Sequence, residues 1–379
     1  MIAGQNGIRT ITAFDTSQLK IHRAGQIENF TPAPILHPEE VQKCGRASHL
    51  AIAAVHQAFE NSGFDLSAAD PFRIGVSFGT TMGEPDIFDA ILDGIVQDGS
   101  EQVDPELWNK LPNYKIANNI AYAFGLRGPN FQIPTACAAG NYAIGYAYDL
   151  LRLGRVDAMI AGGSDALSRI AFVGFQKLRA MSPDDVSPFD ANRKGMMVGE
   201  GAAALLLERL SDAKRRGAVI YAEFLGYGLG CDAHKMSIPH PDGIGGLIAL
   251  RNALQHAEIL PDQIDYISAH GTGTRENDRI ETQIIKTVLG SHAQSCSISS
   301  LKSMTGHCMG ASSAIEAAAC CLSLKRGILI PTINYTTPDP ECDLDCIPNQ
   351  AREKQIEIAV SNAYAFGGNT SSIVLQRFV

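Results

Sequence analysis

Three observations predict an α/β protein. Short apolar runs alternate with longer helical patterns along the whole chain. Glycine is abundant (36 of 379 residues) and aromatics are few (7%), a mix that suits closely packed helices and strands joined by short turns. A faint internal repeat relates residues 137–154 (CAAGNYAIGYAYDLLRLG) to residues 308–325 (CMGASSAIEAAACCLSLK). Cys137 falls on Cys308, Ala143-Ile144 on Ala314-Ile315 and Leu153 on Leu324. Each copy is a small-residue turn feeding an Ala-rich helix. Gene duplication and composition bias both account for such a pattern.

The elements follow in order. Residues 47–61 read as a helix and 73–78 (RIGVSF) as a strand ending in a Gly/Thr loop. Residues 80–115 are more polar, carry Pro85, Pro105 and Pro112, and are expected to wander over the surface. Residues 156–162 and 202–207 are short, apolar and Gly-flanked, as buried strands are. Helices are predicted at 247–257, 280–289 and 312–324, and strands at 264–269, 295–299, 358–360 and 372–375.

Composition narrows the function. With 45% hydrophobic and 19% charged residues, the chain has material for a large core or for two halves sharing an interface. A net charge of −9 argues against nucleic acid as the main partner. The nine cysteines are scattered, with Cys342 and Cys346 the one loose pair, so a disulfide framework or zinc site is not expected and a reducing cytoplasm is. The start, MIAGQNGIRT, lacks the basic-then-apolar pattern of a signal peptide, and no apolar run is long enough to span a membrane.

Three residues carry the chemistry. Cys137, in PTACAAG, stands where an apolar stretch meets a helix, and a helix N-terminus favours the thiolate. The alternative is a buried cysteine that only packs. His270, in AHGTGT, and His307, in LKSMTGH, each end a predicted strand beside small residues. One cysteine and two histidines beside Gly-rich turns are the ingredients of nucleophilic catalysis assisted by imidazole, although each histidine could be a satisfied strand-end group.

PTACAAG, AHGTGT, LKSMTGH and the terminal SNAYAFGG, in this order, resemble the elongating β-ketoacyl-acyl-carrier-protein synthases of fatty-acid and polyketide synthesis. The resemblance extends through residues 159–166, 187–202 and 331–345. It implies the thiolase fold, with two similar halves in five α-β-α-β-α layers, here residues 1–225 and 226–379. It also implies a decarboxylative Claisen condensation. Cys137 would carry the acyl chain, and His270 and His307 would act on the malonyl extender. Lys302 and Glu281 are similar to a charged pair of the family motif, although Lys302 could equally form a structural salt bridge. Thr272 and Thr274 would line the extender pocket. The backbone N–H groups of Cys137 and Phe366 would form an oxyanion hole.

The resemblance further implies no metal and no cofactor, since phosphopantetheine arrives on the acyl carrier protein. It implies a homodimer paired through the strand near 156–162. Lys43, Arg46, Lys177 and Arg179 are expected to receive the acidic carrier; ordinary solvated surface is their alternative.

Three departures stand out. The family opens with a strand and a short helix, and about two dozen residues of that kind are absent here, which is expected to leave an unpaired sheet edge or a gap. In the gating loop, Tyr364 and Ala365 replace Phe and Gly, and altered gating is expected. Met82 stands where the acyl pocket is lined and could admit varied chains. Two other functions stay open: a non-condensing dimer partner, and a malonyl decarboxylase or acyltransferase of the same fold.

Overall fold

The computed structural model describes every residue except Ala33, Pro34 and His37. Among the described residues, nine strands form two main sheets. The first holds β1 (Ile74–Gly79), β2 (Asn130–Ile133), β3 (Ala158–Asp165) and β4 (Gly201–Glu208) in the order β2-β1-β3-β4. The second holds β5 (Glu223–Cys231), β6 (Tyr266–Ser268), β7 (Ser297–Ser299), β8 (Ile358–Tyr364) and β9 (Asn369–Gln376) in the order β5-β9-β8-β6-β7. In each sheet three parallel strands are followed by an antiparallel one, so the four-strand pattern occurs twice. β5 has no counterpart in the first sheet. Residue 225 lies within β5, so the chain passes from one sheet to the other between Glu208 and Glu223.

Five layers result. Helix α1 (Arg46–Ser62) covers the outer face of the first sheet, where Ala51 and Val55 meet Val76, Phe78 and Ile160. Helices α2 (Ala139–Arg152) and α5 (Ala311–Arg326) fill the space between the sheets, with Ile144 and Ala317 among Met159, Ala359 and Ile373. Helices α3 (Ile244–Ala257) and α4 (Arg275–Leu289) cover the outer face of the second sheet, with Leu250 and Ile284 on Ile267, Val360 and Val374. Successive strand residues thus point into different cores, which is why the central strands read as unbroken apolar runs.

The structure departs from the sequence reading in several places. The excursion at 80–115 contains two helices, Pro85–Asp98 and Pro105–Lys110. Their prolines open the first turn, where no N–H partner is needed, rather than breaking a helix. Strands β2 and β5 and helices Lys115–Ala123 and Arg169–Lys177 were not predicted. β5 reads EFLGYGLGC, and its glycines suggest turns. They are instead a packing stripe: a Cβ on Gly226, Gly228 or Gly230 would lie 2.8 Å or less from the backbone of α3. The expected pairing of 156–162 across a two-fold is also corrected. β3 is hydrogen-bonded on both sides, by β1 and β4, and has no free edge.

The inner helices cross at Gly140, whose N–H donates to the Gly310 carbonyl at 3.1 Å. A Cβ there would sit 2.5 Å from the Ala314 nitrogen. Gly140→Val is therefore expected to destabilise the protein by about 1–3 kcal/mol through overpacking, read as a lower thermal midpoint than in Gly145→Ala, where the nearest atoms belong to the Tyr227 side chain rather than to backbone.

Candidate active site

The site is assembled from chain segments that leave the strands at one end of both sheets. β2 runs through Pro134 and Thr135 into a tight turn, Ala136–Ala138, directly before α2. Ala136 has φ +48°, a left-handed conformation that turns the chain sharply and sets Cys137 at the helix mouth. Cys137 is buried, 5% exposed. Burial pushes its thiol up to about 11, against the nearby Lys302 charge and the Phe366 N–H that reaches the sulfur. The thiolate expected from the helix position is therefore not the resting form: desolvation outweighs the helix end.

His270 follows β6. Its loop is fixed by the helix it leads into: the Glu281 carboxylate on α4 accepts the His270 N–H at 2.8 Å and the Gly271 N–H at 2.7 Å. Asp278, one turn earlier, accepts the Gly273 and Phe189 N–H groups. His307 follows the short helix Lys302–Thr305. Its backbone N–H donates to the Met197 carbonyl at 2.6 Å, and its ring Nδ1 lies 2.9 Å from the Ser312 hydroxyl. The two imidazoles meet edge to face with centroids 5.3 Å apart. Both are almost wholly buried. Burial first, then the Lys302 charge, hold both well below the usual histidine pKa, so both are neutral.

Lys302 is 1% exposed, and its ammonium is paired with Glu316. This corrects the expected pairing with Glu281, whose two oxygens are taken by the His270 loop. Glu316 was missed because it lies in the Ala-rich α5, where a single acid reads as a solvated position; its spacing from Lys302 gives no local signal.

Cys137, His270, His307, Thr272, Thr274, Tyr364 and Phe366 line one cavity of about 490 Å³. The Thr272 and Thr274 hydroxyls are 2.9 Å apart. The Tyr364 ring lies 5.8 Å from the His270 ring, and the Phe366 ring rests on Phe175. Met82 is not in this lining: its N–H is held by Asp165, a buried carboxylate that also takes the Thr81 and Ala311 N–H groups. Burial raises Asp165 to about 6 against those hydrogen bonds.

Of the basic residues expected to receive a carrier, Arg179 lines the cavity, and Lys177 is exposed two residues away. Lys43 is exposed outside the lining. Arg46 is corrected: its guanidinium is held by both oxygens of the buried Glu200 and by the Ile27 carbonyl. Lys194, Lys235 and Arg275, missed in the sequence, line the cavity instead. Among the described residues no cluster of His, Cys, Asp and Glu could hold a metal ion. Among the described residues no helix is long and apolar enough to cross a membrane.

Residues 1–213 match the family model described as the β-ketoacyl synthase N-terminal domain, and residues 221–336 match its C-terminal domain. The chain belongs to the β-ketoacyl synthase family. Over its whole length this β-ketoacyl synthase is 36% identical to 3-oxoacyl-[acyl-carrier-protein] synthase 2 of Coxiella burnetii, covering 93% of that protein. It is 38% identical to the protein of the same name from Staphylococcus aureus, covering 92% of it. Among solved structures it superposes on the ishigamide ketosynthase/chain length factor with a TM-score of 0.96 at 39% identity, covering all of this chain and 93% of that one. A type II polyketide acyl-carrier protein in complex with its ketosynthase gives 0.89 at 32% identity, again covering all of this chain and 93% of that one. Both are ketosynthases, so the two-halved, five-layered architecture is the thiolase fold.

The histidines make stability depend on pH in a defined direction. Their folded pKa values lie below the unfolded value, so below about pH 6.5 the unfolded chain binds protons that the folded chain refuses. The histidines' contribution to stability is expected to be flat above that pH and to fall below it, by up to about 1.4 kcal/mol per pH unit for each histidine, while the buried carboxyls raised in the folded state, Asp165, Glu281 and Glu316, contribute a slope of opposite sign. Thermal midpoints from pH 5 to 8 should show a shallower acid slope in His307→Gln than in wild type.

Proposed function

We propose that this chain is a condensing enzyme that joins an acyl group held on Cys137 to a malonyl unit carried on acyl carrier protein, in fatty-acid or polyketide synthesis. The observation that carries the reading is the convergence of Cys137 and two neutral, touching imidazoles on one cavity. In the first half-reaction the Cys137 sulfur attacks the thioester carbonyl of the acyl carrier. The thiol is protonated at neutral pH, so its proton must leave as the sulfur attacks. A neutral imidazole in the same cavity can take it and pass it to the departing carrier thiol. The Cys137 and Phe366 N–H groups, beside the α2 N-terminus, suit the oxyanion of this step.

In the second half-reaction the malonyl carboxylate leaves as carbon dioxide, and its bonding electrons pass to the α-carbon as an enolate. His270 and His307 suit the enolate oxygen, because a neutral imidazole donates a hydrogen bond without the cost of a second buried cation beside Lys302. The enolate carbon then attacks the Cys137 thioester and frees the sulfur. Decarboxylation supplies the carbanion, so the reading needs no metal and no cofactor beyond the carrier's phosphopantetheine arm. Glu281 and the Lys302–Glu316 pair act as positioning groups, Glu281 on the His270 loop and the pair on the local field. An acyl carrier approaches over Arg179, Lys194, Lys235 and Arg275. The edge strand β2 is the candidate for pairing with a second copy, and nine scattered cysteines fit a cytoplasmic setting.

Intact-mass measurement after incubation with acyl-carrier thioesters tests this. Wild type should gain the acyl mass and Cys137→Ala should not; no gain with any donor would sink the reading. His307→Ala should still load but lose condensation by about a hundredfold or more. A variant carrying Lys235→Glu and Arg275→Glu should raise KM for the carrier substrate while leaving kcat near wild type, and the difference should shrink in high salt. The reading of a non-condensing partner would be favoured if the wild-type protein changed a related synthase's products without loading itself.

A further inference from the structure

Three consecutive residues open α5, and each makes a different contact. The Ala311 N–H donates to the Asp165 carboxylate at 3.2 Å, which ties the turn to the end of β3. The Ser313 hydroxyl accepts the Asn141 N–H at 3.2 Å, which ties it to α2. Ser312 lies between them, with its hydroxyl 2.9 Å from Nδ1 of His307. Met309 bends the chain between the two, in a left-handed conformation with φ +50°, so that the imidazole meets the turn it precedes. Ser312 is thus held against the ring by its neighbours on both sides.

A serine in the first turn of a helix commonly uses its hydroxyl to cap a backbone N–H. Ser312 does not. No side chain caps α5, and the imidazole is the one hydrogen-bond partner of Ser312 Oγ among the described residues. Both residues are buried, Ser312 at 4% exposure and His307 at 2%. The direction of their bond follows from what each group can offer. If Nδ1 held the ring proton, it would donate to Oγ, and the serine's own hydrogen would be buried with no acceptor. If Nδ1 is bare, the serine O–H donates to it and both groups are satisfied. A buried donor left unpaired is the costlier choice. The ring is neutral and carries one proton, which the second arrangement places on Nε2.

Nε2 makes no hydrogen bond to the described residues, and the ring lines the cavity with Cys137. We propose that Ser312 is a positioning residue: its hydroxyl donates to Nδ1 and holds His307 in the tautomer whose Nε2–H is available to the enolate oxygen. This rests on the condensation reading and deepens it. His270 has no such device, because its Nδ1 is buried without a partner. The two imidazoles are therefore not interchangeable. His307 is a fixed donor, whereas no side chain selects the nitrogen that holds the His270 proton.

Nitrogen NMR of the imidazoles in the resting full chain reads the tautomer directly, with His307 assigned by the signals lost in His307→Gln. In wild type the His307 proton should sit on Nε2. A proton on Nδ1 would overturn the proposal, and that measurement needs no Ser312 variant. Ser312→Ala removes the hydroxyl while keeping a small residue and a good helix former. It should turn His307 into a mixture of tautomers and lower kcat for condensation by about three- to tenfold. KM for the malonyl carrier should stay within about twofold of wild type, because the loss falls on the transition state. An unchanged rate would overturn the proposal. So would a lower rate with an unchanged tautomer, since the hydroxyl would then act through packing alone. Acyl loading of wild-type Cys137, measured in parallel, reports on the condensation reading without reference to the tautomer, so the two can fail separately.

Discussion

Everything in this fold depends on how closely α2 and α5 approach each other. The Gly140 N–H to Gly310 carbonyl bond and the Asn141 N–H to Ser313 hydroxyl bond join the two N-terminal ends. That contact fixes the spacing of the two sheets, because each helix packs on both. It also brings the Cys137 turn, which opens α2, beside the His307 segment, which opens α5. Asp165 adds a second fastening: from the end of β3 it holds the Thr81 and Met82 N–H groups and the Ala311 N–H at the start of α5. The cavity is thus a product of the interface between the halves, and neither half contains it alone.

Burial dominates the proton affinities in the cavity, and one charge, Lys302, acts on all three of its reactive groups. Lys302 lowers the proton affinity of Cys137, His270 and His307 together. Its own cost of burial is offset by Glu316, itself raised to about 7 by desolvation. Removing either partner would leave an uncompensated buried group, which is costlier than the pair is favourable. The histidines stay neutral because burial disfavours their charged form and a second cation beside Lys302 adds to that cost.

Much of this was legible in the sequence, and the exceptions have physical causes. The buried strands β1 and β3, the half-buried edge strand β4 and the Ala-rich α5 declare themselves by apolar runs. Cys137, His270 and His307 stand out because small residues surround them. β5 was hidden because glycine reads as a turn, when here it is the only residue that lets α3 lie against the sheet. The partner of Lys302 was hidden because sequence carries no distance: Glu281 and Glu316 are both acids on helices, and only the fold says which one reaches the ammonium. Arg46 illustrates the reverse error, a surface-looking cation drawn inward by Glu200.

The glycine stripe of β5 has a consequence for how this sequence can drift. Positions 226, 228 and 230 face helix backbone at distances no side chain can occupy. Backbone cannot move aside as a flexible neighbour could. In a saturation library these three columns should be nearly empty of anything but glycine. The intervening Tyr227 and Leu229 alternate to the opposite face, with Tyr227 in the core between the sheets, and should tolerate other large apolar residues. A strand that looks weakest by propensity would then be among the most strictly constrained stretches of the chain.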